Sequence, residues 1–292
     1  MIRDWKPLEW RDKCFFDKLV SDNPTGVSEL LFGNLYIWAK FRPVEFSEWD
    51  GGILIKTEYE NHKRFFPPLG VNDIPAAYAA CFEFAEETGW PQVVQRAPME
   101  HAEILDGHGF SAEPDRDNFD YVYRVEDLAY LKGRHYDGKR GFIRKFMSNY
   151  DFSFRPYETS DFEDCLNLCR RWIERKGAVD PAYNHEYHAV RELLRSFGEI
   201  QFDSGVLFVE GSMVAFTFGE RITPDTCVIH FEKADTSYDG SYQAINFLFA
   251  RDVLLGKYEY VNREQDMGIP GLRKAKLSYL PYKYVEKYII KR

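Results

Sequence analysis

The sequence predicts an α+β protein of two tandem domains, each a mixed, mostly antiparallel sheet flanked by helices. Three observations lead there. The chain has 292 residues, more than the roughly 100–150 that one hydrophobic core usually serves. Helix-period and strand-period stretches alternate in both halves instead of separating into an all-helix and an all-strand part. The composition, 45% hydrophobic, 29% charged and 17% aromatic, is that of a globular chain with broad apolar faces to cover, and it excludes a disordered or fibrous polypeptide.

In the first half, after a helix-like start, NLYIWAKF (34–41) and GGILIKTEY (51–59) are rich in aromatic and β-branched residues and read as strands. GVNDIPAAYAACFEFAEETGW (70–90) reads as a helix: Asn72 or Asp73 can cap it, Pro75 suits its first turn, and Gly89 stops it. QVVQRA then reads as a strand, MEHAEILDGHGF as a short helix, and FDYVYRV (119–125) as another strand. Residues 126–150 form a basic helical connector, and the domain boundary is placed inside it, giving domains 1–130 and 131–292 with 131–150 as the link.

The second half repeats the style. FSFRPY (152–157) is a strand; SDFEDCLNLCRRWIERKG is a helix with Ser160 and Glu163 as a capping box and Gly177 as its end; HEYHAVRELLRSFGEI is a second helix. GVLFVEGSMVAFTFGE (205–220) is a hairpin turning at Glu210 and Gly211. Pro224 and Asp225 turn the chain into TCVIHFEKA (226–234), a helix YQAINFLFARDVLL follows, and YEYVN (258–262) returns as a strand.

Charge is uneven along a chain of net charge -9. Residues 1–130 carry 13 basic against 24 acidic side chains and 151–256 carry 10 against 18, whereas 131–150 carry 6 against 1 and 257–292 carry 9 against 4. Two short basic segments on an acidic body fit a local anion site better than a whole-surface nucleic-acid binder, and both also read as solvated faces. No run of about eighteen apolar residues occurs and the first residues are charged, so a cytoplasmic chain without a membrane-spanning segment is expected. Five scattered cysteines, Cys14, Cys81, Cys165, Cys169 and Cys227, offer neither a disulfide framework nor a zinc ribbon. The histidines of HEYH (185–188) are three apart, without the spacing of a helical zinc protease, so no metal is expected. GxSxG, P-loop and GxGxxG motifs are absent, which leaves hydrolase, NTPase and dinucleotide-binding readings without support.

The order strand, two helices, hairpin, strand, helix, strand resembles that of the GNAT acyltransferase superfamily. Further, HFEKADTSYDGSYQAINFLFA (230–250), YVNREQDMGIPGLRKAKLSYLP (260–281) and the connector YRVEDLAYLKGRHYDGKRGFIRKF (123–146) resemble the phosphatidylglycerol lysyltransferase C-terminal domain family over most of the chain. That resemblance implies a tandem GNAT-like fold, related to the Fem-type peptidyltransferases. At the family's membrane-bound members it implies transfer of an aminoacyl group from tRNA to a lipid. The expected activity is therefore transfer of an acyl or aminoacyl group from an aminoacyl-tRNA or acyl-CoA donor to an amine or hydroxyl acceptor, with no tightly bound cofactor. Candidate partners are a small-molecule or lipid acceptor and tRNA. The other reading is a GNAT-like module that binds an acylated, phosphorylated or lipid ligand without turnover.

The residues carry chemistry on their own account. In CVIHFEKA, alternation puts His230 and Glu232 on one sheet face, where they could take a proton from an attacking amine; equally, they read as a cross-strand polar pair. The loop DTSYDGSYQ leads into a helix start whose unpaired amides suit a phosphate or oxyanion, with Gly240 allowing close approach and Tyr242, Gln243 and Asn246 as donor-binding candidates. That loop lacks the glycine run and basic residue typical of coenzyme A binders. Asn262 ends a strand, and Gly268, Pro270 and Gly271 turn the chain into Arg273 and Lys276, expected to face the cleft as anion partners.

Overall fold

The computed structural model of the protein describes residues 4–59, 62–175, 177 and 181–292. In chain order its strands and helices are β1 (Lys6–Pro7), α1 (Lys13–Asp22), α2 (Phe32–Trp38), β2 (Val44–Trp49), β3 (Gly52–Tyr59), β4 (His62–Leu69), α3 (Ile74–Thr88), β5 (Val93–Pro98), α4 (Met99–Leu105) and β6 (Ser111–Pro114). Then come β7 (Asp120–Arg124), α5 (Val125–Tyr130), α6 (Asp137–Asn149), β8 (Phe152–Arg155), α7 (Phe162–Arg175), α8 (Pro181–Arg195), β9 (Phe202–Val209), β10 (Ser212–Thr223) and β11 (Thr226–Ala234). The chain ends with α9 (Ser241–Phe249), β12 (Tyr260–Asn262), α10 (Pro270–Leu277), β13 (Lys283–Val285) and β14 (Lys287–Lys291).

Two compact units result: Met1–Asp120 with Gln265–Arg273 and Tyr284–Arg292, and Tyr121–Glu264 with Lys274–Lys283. The units differ from the expected cut at 130 for a pairing reason. Strand β7 pairs with β12, Tyr260 opposite Arg124, which takes residues 121–130 into the second unit. Strand β14 pairs with both β5 and β6, which takes the last residues into the first.

The first unit is a seven-stranded sheet in the order β1-β2-β3-β4-β5-β14-β6. Its strands are antiparallel except β4 and β5, which run parallel through the pair Phe65 and Val94. Phe16, Phe32, Phe46 and Ile55 form one core layer, and Tyr78, Phe82, Ala85 and Val94 another. The second layer rests on α3, where the expected signals are all in place: the Asp73 carboxylate accepts from the Ala76 amide at 2.9 Å, Pro75 sits in the first turn, and Gly89 ends the helix at φ 71°. Residues 34–41, read as a strand, instead form α2 and a turn, because Phe32 and Leu35 are buried one helical turn apart. Strands β2 and β4 were not foreseen.

The second unit repeats the plan with a sheet in the order β13-β7-β12-β11-β10-β9-β8. It follows the predicted GNAT-like sequence: β8, two helices, the β9–β10 hairpin, β11, α9 and a parallel β12. The hairpin turns at Glu210 (φ 49°) and Gly211 (φ 78°), the left-handed pair that a tight two-residue turn demands. Ile245, Leu248 and Phe249 of α9 are buried, as its apolar spacing required. The start of α7 is capped differently from the expectation. Glu158 and Asp161, not Ser160 and Glu163, form the reciprocal box around a single 3-10 turn that precedes the helix.

Candidate functional site

The site is built where two parallel strands of the second unit separate. Strands β11 and β12 are paired at Thr226 with Tyr260, Cys227 with Val261 and Val228 with Asn262, and there the pairing ends. Strand β11 runs on alone on that edge for six residues, through His230 and Glu232 to Ala234. Beyond Asn262 the chain bends away: the Asn262 side-chain oxygen accepts from the Glu264 amide at 2.7 Å, and Glu264 takes the left-handed φ of 56°. The Lys276 ammonium donates to the carbonyls of Arg263 and Glu264. Asn262 and Lys276 thus brace a turn whose outward side chains, Arg263 and Glu264, reach back toward β11.

What they reach is the predicted pair. Arg263 Nη2 donates to Glu232 Oε1 at 2.8 Å, and Asn246 Nδ2 of α9 lies 3.4 Å from the other carboxylate oxygen. The guanidinium is flanked by the rings of Tyr279 and Tyr123, 5.1 and 5.8 Å from its carbon. Burial alone would favour losing its proton, but the Glu232 carboxylate outweighs this and holds Arg263 charged. Its Nη1 is buried and has no hydrogen-bond partner among the described residues, and so does the hydroxyl of Thr217, which lies directly opposite Glu232 on β10. Two polar atoms without partners among the described residues therefore adjoin one largely buried ion pair. Burial lifts the phenol of Tyr279 to about 12, against the pull of Arg263.

His230 is not placed as a base. The register of β10 on β11 pairs Phe218 with Phe231 and then Gly219 with Ile229, so His230 is the extra residue of a β-bulge. Its imidazole is 1% exposed, with Nε2 3.0 Å from Glu220 and Nδ1 3.0 Å from Glu264. Burial disfavours the charged ring, yet hydrogen bonds to Glu220 and Glu264, together with their charges, prevail and lift its pKa to about 9. At neutral pH both nitrogens are engaged donors, and a ring in that state takes no further proton. Because the residue as a whole is partly exposed while its ring is not, its exposed atoms belong to the main chain.

The cations expected at the cleft are engaged elsewhere. Lys276 is buried and spends its ammonium on main-chain carbonyls, which makes it a positioning residue. Arg273 belongs to the first unit, where it pairs with Asp266 at 2.8 Å and Asp117 at 2.6 Å, and these two carboxylates raise its pKa further. Neither is an available anion partner. The helix start also has another explanation for its glycine. A Cβ on Gly240 would lie 2.5 Å from the Phe142 carbonyl, so the glycine permits α6 and α9 to approach. Tyr242 accepts from Trp172 Nε1 at 2.9 Å, and burial pushes its phenol to about 12. Gln243 is half-buried one turn before Asn246, and among the described residues it makes no hydrogen bond through its side chain.

Alternation along β11 was enough to bring His230, Glu232 and Asn246 into view. Arg263, Glu264, Glu220 and Thr217 escaped notice, although Arg263 and Glu264 follow directly on a predicted strand end, the place where a diverging strand presents its next side chains. Among the described residues there is no group of three or more His, Cys, Asp or Glu that could hold a metal ion, and no helix is long and apolar enough to cross a membrane. The first unit has an open cleft of about 500 Å³ lined by Asp73, Pro75, His108 and Phe110 among others, which gathers none of the residues above.

A conserved protein of unknown function from Bacteroides thetaiotaomicron has the same fold with a TM-score of 0.91 and 31% identity, covering 100% of this chain and 99% of that one. The C-terminal domain of a protein assigned as a lysylphosphatidylglycerol synthetase from Agrobacterium fabrum follows at TM-score 0.69 and 15% identity, over 96% and 91% of the two chains. FemX shares the fold at TM-score 0.62 and 10% identity, over 98% and 97%. An uncharacterised protein of Mycoplasmoides gallisepticum is 24% identical over 182 residues, 59% of this chain and 55% of that protein, so the chain spans about half the length of this curated relative. The family of phosphatidylglycerol lysyltransferase C-terminal domains matches residues 23–291, and the chain belongs to that family.

Proposed function

We propose that the protein is an acyl- or aminoacyltransferase whose reaction centre is the parting of β11 and β12. The observation that carries this reading is the largely buried Glu232–Arg263 pair set on the unpaired edge of β11, beside Arg263 Nη1 and the Thr217 hydroxyl, which have no hydrogen-bond partner among the described residues. Family membership supports the class of reaction. The donor is an aminoacyl-tRNA ester or an acyl-CoA thioester, and the acceptor an amine or hydroxyl on a small molecule or lipid.

In the reaction the acceptor nitrogen or oxygen attacks the donor carbonyl carbon, and an oxyanion forms. The acceptor's proton is lost, the C–O or C–S bond to the carrier breaks, and the carrier leaves with a proton. Glu232 serves as hydrogen-bond acceptor for the attacking group, directly or through one water, since among the described residues its Oε2 has only the long contact to Asn246. Arg263 keeps the carboxylate ionised and offers Nη1 as a donor to developing negative charge. The bulge at His230 takes its main chain out of register, and the imidazolium, bonded to Glu220 on one side and Glu264 on the other, holds that bulge in place.

A second reading is binding without turnover. It is favoured by one observation: both nitrogens of His230 and one oxygen of Glu232 are already engaged by partners in the protein. Incubating the full chain with a panel of acyl-CoAs and charged tRNAs, plus amine and phospholipid acceptors, separates the two. The transferase reading expects a mass-shifted acceptor from one donor class. A donor that raises the melting temperature yet yields no product with any acceptor overturns it in favour of the binding module.

A further inference from the structure

The first unit holds a second set of charged groups that the transfer reaction does not use. Arg42 follows α2, Arg64 lies on β4 and Arg96 on β5. Arg64 is paired in register with Thr57 of β3, which is itself opposite Val44 of β2, so this row shares one face of the sheet. Arg64 Nη1 also donates to Gln95 of β5 at 3.0 Å. The guanidinium of Arg42 is clamped between aromatic rings, 4.4 Å from the centre of Trp38 and 4.7 Å from that of Tyr59.

The carboxylates nearby are already committed. Glu29 is held by Lys287 at 2.6 Å and by Arg96 at 2.9 Å, and Asp115 by Arg96 at 2.5 Å. Among the described residues neither Arg42 nor Arg64 has an ion pair with a carboxylate, in a chain whose net charge is -9. Both residues are partly exposed, while the Nε of each is buried and has no hydrogen-bond partner among the described residues. The buried hydroxyl of Thr57, in the same row, also has no hydrogen-bond partner among the described residues. Glu29 attracts both guanidinium groups, but it is shared with Lys287 and Arg96, so positive charge outnumbers negative around the Thr57 hydroxyl, and such guanidinium forks are the elements of an oxyanion receptor.

We propose that Arg42, Arg64 and Thr57 form a binding site for a small oxyanion, a phosphate or a carboxylate, on the sheet of the first unit. Burial, followed by repulsion from Arg96 and Arg42, pulls the pKa of Arg64 down to about 10, and burial lowers that of Arg42. A bound anion reverses both effects, so the free site is electrostatically strained toward its ligand. The aromatic clamp on Arg42 reduces the ordering cost of binding. None of this rests on transfer activity, and a protein without transfer activity would keep the site.

Calorimetric titration of the full chain with inorganic phosphate and, separately, with acetate at constant ionic strength tests the site. A saturable one-site isotherm is expected for at least one of them, and the tighter anion identifies the ligand class. Arg42→Gln and Arg64→Gln should each weaken that isotherm at least about tenfold, equivalent to about 1.4 kcal/mol, whereas Lys18→Gln, on an exposed helix face paired with Asp22, should leave it unchanged. If either arginine variant fails to fold by circular dichroism, Thr57→Val supplies the same reading without a charge change. Absence of saturable binding for both anions, or an isotherm indifferent to all three substitutions, overturns the proposal.

Discussion

The two units share an order of elements and differ in what they place at the same topological point. In the first, parallel strands β4 and β5 meet at Phe65 and Val94, and β4 continues as Phe66, Pro67, Pro68 and Leu69, all buried. In the second, β11 continues past its last pairing with β12 as Ile229, His230, Phe231, Glu232, Lys233 and Ala234. One opening is closed with apolar side chains and prolines, and the other is furnished with a bulge, a charged imidazole and a largely buried carboxylate. A duplicated architecture does not imply duplicated chemistry. The imidazolium and the Glu232–Arg263 pair lie in the second unit, while the first unit carries Arg64, which has no ion pair among the described residues, toward the opposite, N-terminal end of β4.

Breaking the ion pair tests this contrast most severely. Arg263→Leu leaves Glu232 buried without its cation and should destabilise the chain by about 3–5 kcal/mol in urea unfolding; a cost under about 1 kcal/mol would show the carboxylate to be water-solvated and the two openings to be energetically alike. The pH dependence of stability comes next. His230 has a folded pKa near 9 against an ordinary 6.5, so its contribution is complete below about 6.5 and is lost as pH rises through 9. Unfolding free energy should fall over that window by on the order of 3 kcal/mol at most, and His230→Gln should flatten the slope. An unchanged slope in the variant contradicts a charged ring.

The glycines before the two central helices give a paired measurement. Gly240 (φ 87°) faces the main-chain carbonyl of Phe142, which cannot yield, whereas Gly70 (φ 70°) faces the side-chain tip of Leu19, which can. Gly240→Ala should therefore cost about 2–3 kcal/mol and Gly70→Ala about 1 kcal/mol, measured as shifts in urea midpoint; a reversed order would remove the argument that α6 and α9 pack through that glycine. Smallest is Trp172→Phe, which removes one hydrogen bond to the Tyr242 hydroxyl and leaves the one from the Ala234 main chain, and should cost about 0.5–1 kcal/mol by the same measurement.

Local signals were legible wherever one residue type does one job. The Asp73 cap, the Gly89 stop and the Glu210–Gly211 turn follow from backbone sterics and capping alone, and each stands where the sequence places it. Strand β4 was hidden because Pro67 and Pro68 argue against a central strand. They are accommodated where its register with β3 shifts, between the pairs Ile53 with Leu69 and Ile55 with Phe66. Aromatic and β-branched composition disguised α2, whose burial follows a helical spacing. At the candidate site, period-two alternation brought His230 and Glu232 together, but the bulge that fixes His230 depends on pairing with β10, which a single segment does not reveal. The basic tail looked available because sequence counts charges and not their acceptors: Asp266 and Asp117 hold Arg273, and two carbonyls hold Lys276. Arg263 was overlooked for the converse reason, since its partner Glu232 lies 31 residues earlier.

The single-turnover transfer rate of Glu232→Gln, compared with the unsubstituted chain using the donor and acceptor that give product, tests the central claim most directly. A rate at least about 100-fold lower, equivalent to roughly 2.7 kcal/mol of barrier, is expected, with an unchanged far-ultraviolet circular dichroism spectrum. A variant that transfers as fast as the parent would contradict the placement of the reaction at the parting of β11 and β12.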